Sequence, residues 1–461
     1  MAAGAENGEQ NGLTILPLRT KLVYALGDHT MNMALFALLS VFPAFLTEVA
    51  GMRPALAGLI PLIGRIVDAV TDPAMGRLSD GTTWKGGRRR PFLLIGMVPF
   101  GLAFGALWWA VPASEGHWQF AYYAATYVLF SLASTVLAVP YMALIPEMTS
   151  SYDERTSMNA ARAVGAILGA LLAATLPLVA ASLGGGGAGY QRMGIAAGLY
   201  VMLPWIFVHA VTFERRAAVE SPKTAFLASV LSIARRKSFQ ILAGLYLLGR
   251  IAIDLTSSMF ILFFTYRMQR PEDFTPTLMI FMIMVAVALP IWAAVARRTE
   301  KRTIFLFGAG WWIGSQTFLF VAQPDWPSWV VFLGAGIGGV GYAAADMIPW
   351  SMLGEVIDED ELESSERREG IYFGLFTFMR KLGGALGIAV AFAVLDWAGY
   401  RGGQPVEEAP VGWIRVFTAV IPGIFVFLAA IVALAYPLGR ARHTEILQEL
   451  DRRKASTANG V

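Results

Sequence analysis

The sequence predicts an all-α membrane protein, with twelve transmembrane helices in two pseudo-symmetric six-helix bundles and both termini on the cytoplasmic side. Three observations carry this expectation. The 461 residues are 56% hydrophobic and 15% charged, with a mean hydropathy of +0.56, whereas a soluble domain carries about 25% charged residues. Apolar stretches close to the ~20 residues that cross a bilayer recur from end to end. Short motifs of the first half reappear, in order, in the second.

In chain order the spans are predicted at 22–46, 54–78, 91–111, 120–145, 160–183, 193–213, 239–266, 274–296, 304–321, 330–356, 371–397 and 413–438. The polar stretch 1–17 lacks the apolar run of a cleavable leader and reads as a disordered cytoplasmic tail. Residues 18–213 form the first bundle, 214–238 a cytoplasmic linker, 239–438 the second bundle and 439–461 a cytoplasmic tail. Within the linker, AFLASVLSIA has the pattern of an amphipathic helix. Orientation follows from the basic residues. Lys85 with Arg88 to Arg90, Arg215 and Arg216, Arg235 to Lys237, Arg297 to Arg302 and Arg440 to Lys454 all fall in alternate connections, whereas the loops 112–117 and 324–328 have none.

The repeat is visible in residues. Tyr24-Ala-Leu-Gly27 is matched by Tyr246-Leu-Leu-Gly249, Arg162 and Gly165 by Lys381 and Gly384, and RRRPFLLIG by ARRTEKRTIFLFG. Pro140-Tyr141 with Leu144 and Glu147 corresponds to Pro349-Trp350 with Leu353 and Glu355. Two parallel six-span repeats define the major-facilitator architecture, whose halves rock about a midplane cavity.

Several function classes are excluded. There is no cysteine, hence no disulfide, thiolate metal site or cysteine nucleophile. The four histidines form no metal-binding pair, and no catalytic dyad or P-loop occurs. The net charge of +3 is local and points to no nucleic acid. The expected partners are the bilayer and a small-molecule substrate, with the protein a monomer in a cell membrane. No cofactor is implied beyond a co-transported ion.

Charge inside hydrocarbon costs about 2.5–3.5 kcal/mol per residue on insertion scales and marks function. The second span reads GRIVDAVTDPAMGRLSDG. Asp68 and Asp72 lie four apart, so both carboxylates leave the same helix face. Two stacked anions need a bound cation, a shared proton or a basic partner. Oxygen-only ligation suits Na⁺, and Pro73, lacking an N–H, leaves the carbonyl of Ala69 as another oxygen. H⁺ remains the alternative ion, and neutralisation by nearby arginines the structural one. Arg65, Arg77 and Arg380 are expected to snorkel from helix ends. Asp254 is expected either to face the pore or to pair with Arg250 one turn earlier. Glu147 and Glu355 are expected in cytoplasmic charge networks with Arg77 or Arg88-type residues. The acidic run 358–363 reads as solvated.

DAVTDP followed by WKGGRRRP resembles the second-span signature of the glycoside-pentoside-hexuronide:cation symporters, the melibiose-permease-like family. KLVYALGD, VPYMALIPE and FMRKLGGALG are similar to that family's first, fourth and eleventh spans. The resemblance implies alternating-access symport, with Asp68, Asp72 and Thr135 as cation ligands, Lys381 near both sites and Arg162 lining the substrate site. Two acidic sugar-gripping positions are Asn32 and Ala138 here, and a stacking tryptophan position is Met142. IPWSMLGEVIDED, DWAGY and AYPLGR, with Thr71 before the second aspartate, are more similar to the animal sodium-dependent lysophosphatidylcholine symporters. A lysophospholipid-like amphiphile is therefore slightly favoured over a sugar, with Asn32, Arg162, Lys381, Trp350 and Asp254 as candidate substrate contacts and Arg77, Glu147 and Glu355 as the cytoplasmic gate. An uncoupled lipid-moving protein is the remaining alternative.

Overall fold

The computed structural model describes residues 16–458 apart from 85, 113–116, 150, 215–225, 367 and 405–406. Among the described residues the regular structure is helical: α1 (Leu18–Ser40), α2 (Pro54–Gly81), α3 (Arg90–Ala106), α4 (His117–Met148), α5 (Asp153–Ser182), α6 (Gly186–Val211), α7 (Phe226–Ala234), α8 (Lys237–Arg267), α9 (Pro271–Ala296), α10 (Lys301–Val321), α11 (Ser328–Ser364), α12 (Glu369–Trp397), α13 (Glu408–Leu434) and α14 (Arg440–Ala458). Eleven of these are long and apolar enough to cross a membrane, and α3 is an apolar helix of 17 residues in the place of the third predicted span. In lipid the backbone must satisfy its own hydrogen bonds, which is why apolar runs of this length are helical.

Two compact units form, Met1–Glu220 with Tyr400–Pro405, and Ser221–Gly399 with Val406–Val461. Each repeats one packing plan. In the first, α1 packs on α5, α2 on α4, and α3 on both α4 and α6; in the second, α8 packs on α12, α9 on α11, and α10 on both α11 and α13. The repeat extends to backbone detail, since the chain after α1 winds into a π-helical turn at Phe45–Val49 and α8 ends in another at Phe263–Arg267. The segment starting at Tyr400 clusters with the first unit. Tyr400 is buried with its hydroxyl on Glu48 and 3.3 Å from Thr47 Oγ1, and the amide of Gly403 donates to Glu48 Oε2 at 3.0 Å.

Small residues permit the closest contact. A Cβ on Gly165 would lie 2.5 Å from the carbonyl oxygen of Ala25, and one on Gly169 would meet His29 O more closely still. Helix association in lipid rests on such approach.

The structure revises several expectations at the ends of the chain. Leu16, expected in a disordered tail, is buried and its amide donates to Glu154 Oε2 at 2.9 Å; residues 1–15 of that tail lie outside the described residues. The amphipathic run appears as α7, with Ser229 and Ile233 buried. The C-terminal tail forms α14, which docks on α11 through buried Ile446 and Leu450, with His443 Nε2 2.9 Å from Asp358 Oδ2. The acidic run is not simply solvated. Asp360 is fully buried between Arg236 and Arg368, each 2.5 Å from its Oδ1, and this hydrogen bond raises the pKa of Arg368. A buried carboxylate persists only with such partners, and one of them, Arg236, is too remote in sequence to be revealed by it.

Overpacking at the α1–α5 seam is expected to cost about 1–3 kcal/mol. Gly169→Val should lower the thermal unfolding midpoint in detergent by several degrees, whereas Gly310→Val, with open space at its Cβ position, should leave it unchanged.

Candidate functional site

In the first unit, α2 carries Asp68 and Asp72 through a helix that continues across Pro61 and Pro73. Gly64 lets α2 approach α4, because a Cβ there would collide with the ring of Tyr127. That approach brings Thr135 of α4 to Asp72, its Oγ1 donating to Oδ1 at 2.6 Å. Thr71 Oγ1 donates to Val67 O at 3.0 Å and stands 3.5 Å from Thr135 Oγ1. Asp68, 4% exposed, pairs with Arg65 Nη1 at 3.0 Å. Arg65 was expected to snorkel from a helix end; it lies in mid-helix instead, and the i,i+3 spacing puts it beside Asp68. The formal charges of Arg65, Asp68 and Asp72 leave one net negative charge on this segment.

A second cluster joins α1, α4 and α5. Arg162 holds Asp28 bidentately, Nε to Oδ2 at 2.5 Å and Nη2 to Oδ1 at 3.2 Å, and its guanidinium lies over the Tyr141 ring. Tyr141 donates to Asp28 Oδ2 and is 2.7 Å from Tyr24 O, while the two tyrosine rings stack with centroids 4.4 Å apart. Arg162, expected to line the substrate site, is thus engaged by Asp28. Asn32, one turn further, gives its amide to the carbonyl of Asp28 at 2.8 Å. The Tyr24–Tyr141 pair was not singled out in the sequence, although both residues sit in the repeated motifs.

The second unit keeps the positions and changes the chemistry. Arg250 occupies the place of Asp28 and pairs with Asp254, Nε to Oδ2 at 3.0 Å, so the pairing alternative for Asp254 describes the structure. The Asp254 carboxylate lies against Gly384 of α12, where no Cβ would fit; Lys381 is one turn earlier on that helix. Trp350 packs edge-on against Tyr246 and Phe376, and Tyr246 stacks on Phe376 at 4.0 Å.

At the helix ends that carry Glu147 and Glu355 the repeat reappears as ion pairs. Arg89 Nη1 reaches Glu147 Oε1 at 2.6 Å and Ala143 O at 2.5 Å, and Arg88 joins the same carboxylate. Lys301 Nζ reaches Glu355 Oε1 and Ser351 O, both at 2.9 Å, and Tyr436 donates to Glu355 Oε2 at 3.0 Å. Each cation therefore bridges a glutamate and the carbonyl one turn before it. Of the two partners expected for Glu147, Arg77 or an Arg88-type residue, the structure shows the second. Arg77 is exposed on α2, while Arg88 and Arg89 are delivered by the turn into α3, where Glu214 accepts the amides of Arg88, Arg89 and Arg90 at 2.7–2.8 Å. Among the described residues no group of three or more His, Cys, Asp or Glu could hold a metal ion.

The family of MFS/sugar transport proteins matches residues 23–440. The chain belongs to it. An uncharacterised symporter of Synechocystis is 32% identical over 95% of this chain and 97% of its own length. A sodium-dependent lysophosphatidylcholine symporter of Danio rerio is 23% identical over 94% of this chain and 88% of its own. The fold is shared with a bacterial homologue of the human lysosomal transporter Spinster, with a TM-score of 0.69 and 12% identity over 94% of this chain and 98% of that one. The protein is accordingly a multi-pass membrane transporter of the major facilitator superfamily and not an enzyme.

The Tyr141 hydroxyl ties α4 to α1, reaching Tyr24 O and the Asp28 carboxylate that Arg162 of α5 also holds. Tyr141→Phe should lower stability by about 1–3 kcal/mol, the scale for stranding a buried polar partner, read as a fall in thermal midpoint larger than for Tyr122→Phe.

Proposed function

We propose that this transporter couples the inward movement of a cation, Na⁺ in preference to H⁺, to that of an organic solute by alternating access. The observation that carries the reading is the Thr135–Asp72 contact one turn from Asp68 on the same helix. Carboxylate, hydroxyl and the Ala69 carbonyl that Pro73 cannot engage form an all-oxygen set suited to a hard monovalent ion. Asp68, Asp72 and Thr135 are its proposed ligands. One cation entering down a 100 mV potential contributes about 2.3 kcal/mol, nearly fifty-fold accumulation.

A lysophospholipid-like amphiphile is the favoured solute. Hydroxyl-rich sugars need acceptors in a dry site, yet Asn32 is turned to its own backbone and Arg162 to Asp28. Met142 offers an exposed apolar side chain instead of a ring. Lys381, with Asp254 and Trp350, is proposed to meet the headgroup. The Danio rerio relative supports this reading, and the family description supports a glycoside or other sugar as the alternative. Glu147 with Arg88 and Arg89, and Glu355 with Lys301, are proposed as the cytoplasmic gate.

In proteoliposomes, Asp72→Asn and Asp68→Asn should abolish the dependence of uptake on an imposed Na⁺ gradient. Thr135→Val should weaken ²²Na⁺ binding about ten-fold, one charge-assisted hydrogen bond's worth. Wild-type coupling in the aspartate variants would reject the site. A panel of labelled lysolipids against sugars, with and without Na⁺ and proton gradients, decides the solute; uptake indifferent to both gradients would favour uncoupled lipid movement.

A further inference from the structure

Inside the second unit a small cavity opens beside Arg250, bounded by Tyr246, Trp312, Tyr342, Asp346 and Pro349. About 10 Å³ of it admits the centre of a water molecule, enough for one. Asp346 lies on α11 within the apolar stretch and was not singled out in the sequence. It makes no hydrogen bond or ion pair among the described residues, and its electrostatic partners are Arg250 and Tyr342. An ionisable group at this depth that faces a wettable cavity is a functional candidate.

Arg250 gives Nε and Nη2 to Asp254, and Asp346 borders the same cavity as Arg250. One cation therefore lies beside two carboxylates. The groups around Asp346 are Arg250, Asp254 and Tyr246 from α8 and Tyr342 from α11. The cavity walls from α10 and α13 hold no titratable side chain. Lys381 on α12 lies one turn from the glycine that seats Asp254. Pro349 has no N–H for the carbonyl of Ala345, and both residues border the cavity.

We propose that Asp346 is a proton-carrying site of the second unit, with Arg250 shared between it and Asp254. While Arg250 is held by Asp254, as here, hydronium in the cavity gives its proton to an Asp346 carboxylate oxygen, and water remains. When the guanidinium turns to Asp346, that O–H breaks and the proton returns to water. This site is separate from the Asp68–Asp72 segment and does not depend on the reading of that segment.

Infrared difference spectroscopy on the full chain in lipid, between acidic and neutral pH, tests it without any solute. The wild type should show the C=O stretch of a protonated carboxyl that shifts in heavy water. Asp346→Asn should lose that band, Asp68→Asn and Asp72→Asn should retain it, and Asp346→Glu should restore it at a displaced frequency, which also covers a folding failure of the asparagine variant. A band that survives in Asp346→Asn, or its absence from the wild type, overturns the proposal. Failure of the cation site in α2 would instead appear in ²²Na⁺ binding.

Discussion

The cost of placing charge in hydrocarbon governs this structure more than any other constraint. It explains why the buried ionic groups occur in sets. Arg65 with Asp68 and Arg250 with Asp254 pair within one helix. Arg162 with Asp28 (α1 and α5), Arg89 with Glu147 (the turn into α3 and the end of α4) and Lys301 with Glu355 (α10 and α11) pair across elements. Each set that crosses elements fixes a helix contact that apolar packing alone would leave free to slide, because lipid is as apolar as the side chains that face it. The glycines at 165, 169 and 384 bring backbones close enough for these short side chains to meet.

The two units show what duplication preserves and what it releases. Packing plan, π-helical turns and the inner ion pairs recur with small changes of residue. The ionic centres of the paired first helices do not. Asp28 in one becomes Arg250 in the other, and the partner moves from a neighbouring helix to the next turn of the same one. The fold thus carries the ion pair in two arrangements on a common frame.

Much of this was legible in the chain. Spans of about 20 apolar residues announced the helices, the repeated motifs announced the two units, and the four-residue spacing of Asp68 and Asp72 announced a shared face. What stayed hidden depends on distance along the chain. Asp360 looked like part of a solvated acidic run because Arg236 is remote in sequence. Both Arg77 and the Arg88-type residues were readable as partners of Glu147, but only the turn into α3, held by Glu214, decides between them. Arg65 looked peripheral because a proline-containing helix gives no obvious centre. Asp346 passed unnoticed because its surroundings, including Arg250 and the void beside it, come from four helices.

The C-terminal helix has a practical consequence. Its apolar positions, Ile446 and Leu450, are covered by the same core that includes Leu438, Tyr436 and Leu353. A purification handle appended beyond Ala458 leaves that seam intact, but a fusion that replaces the helix would bare greasy surface at a water-facing edge. Yield of such truncated products would then be governed by clumping rather than by any property of the transport pathway.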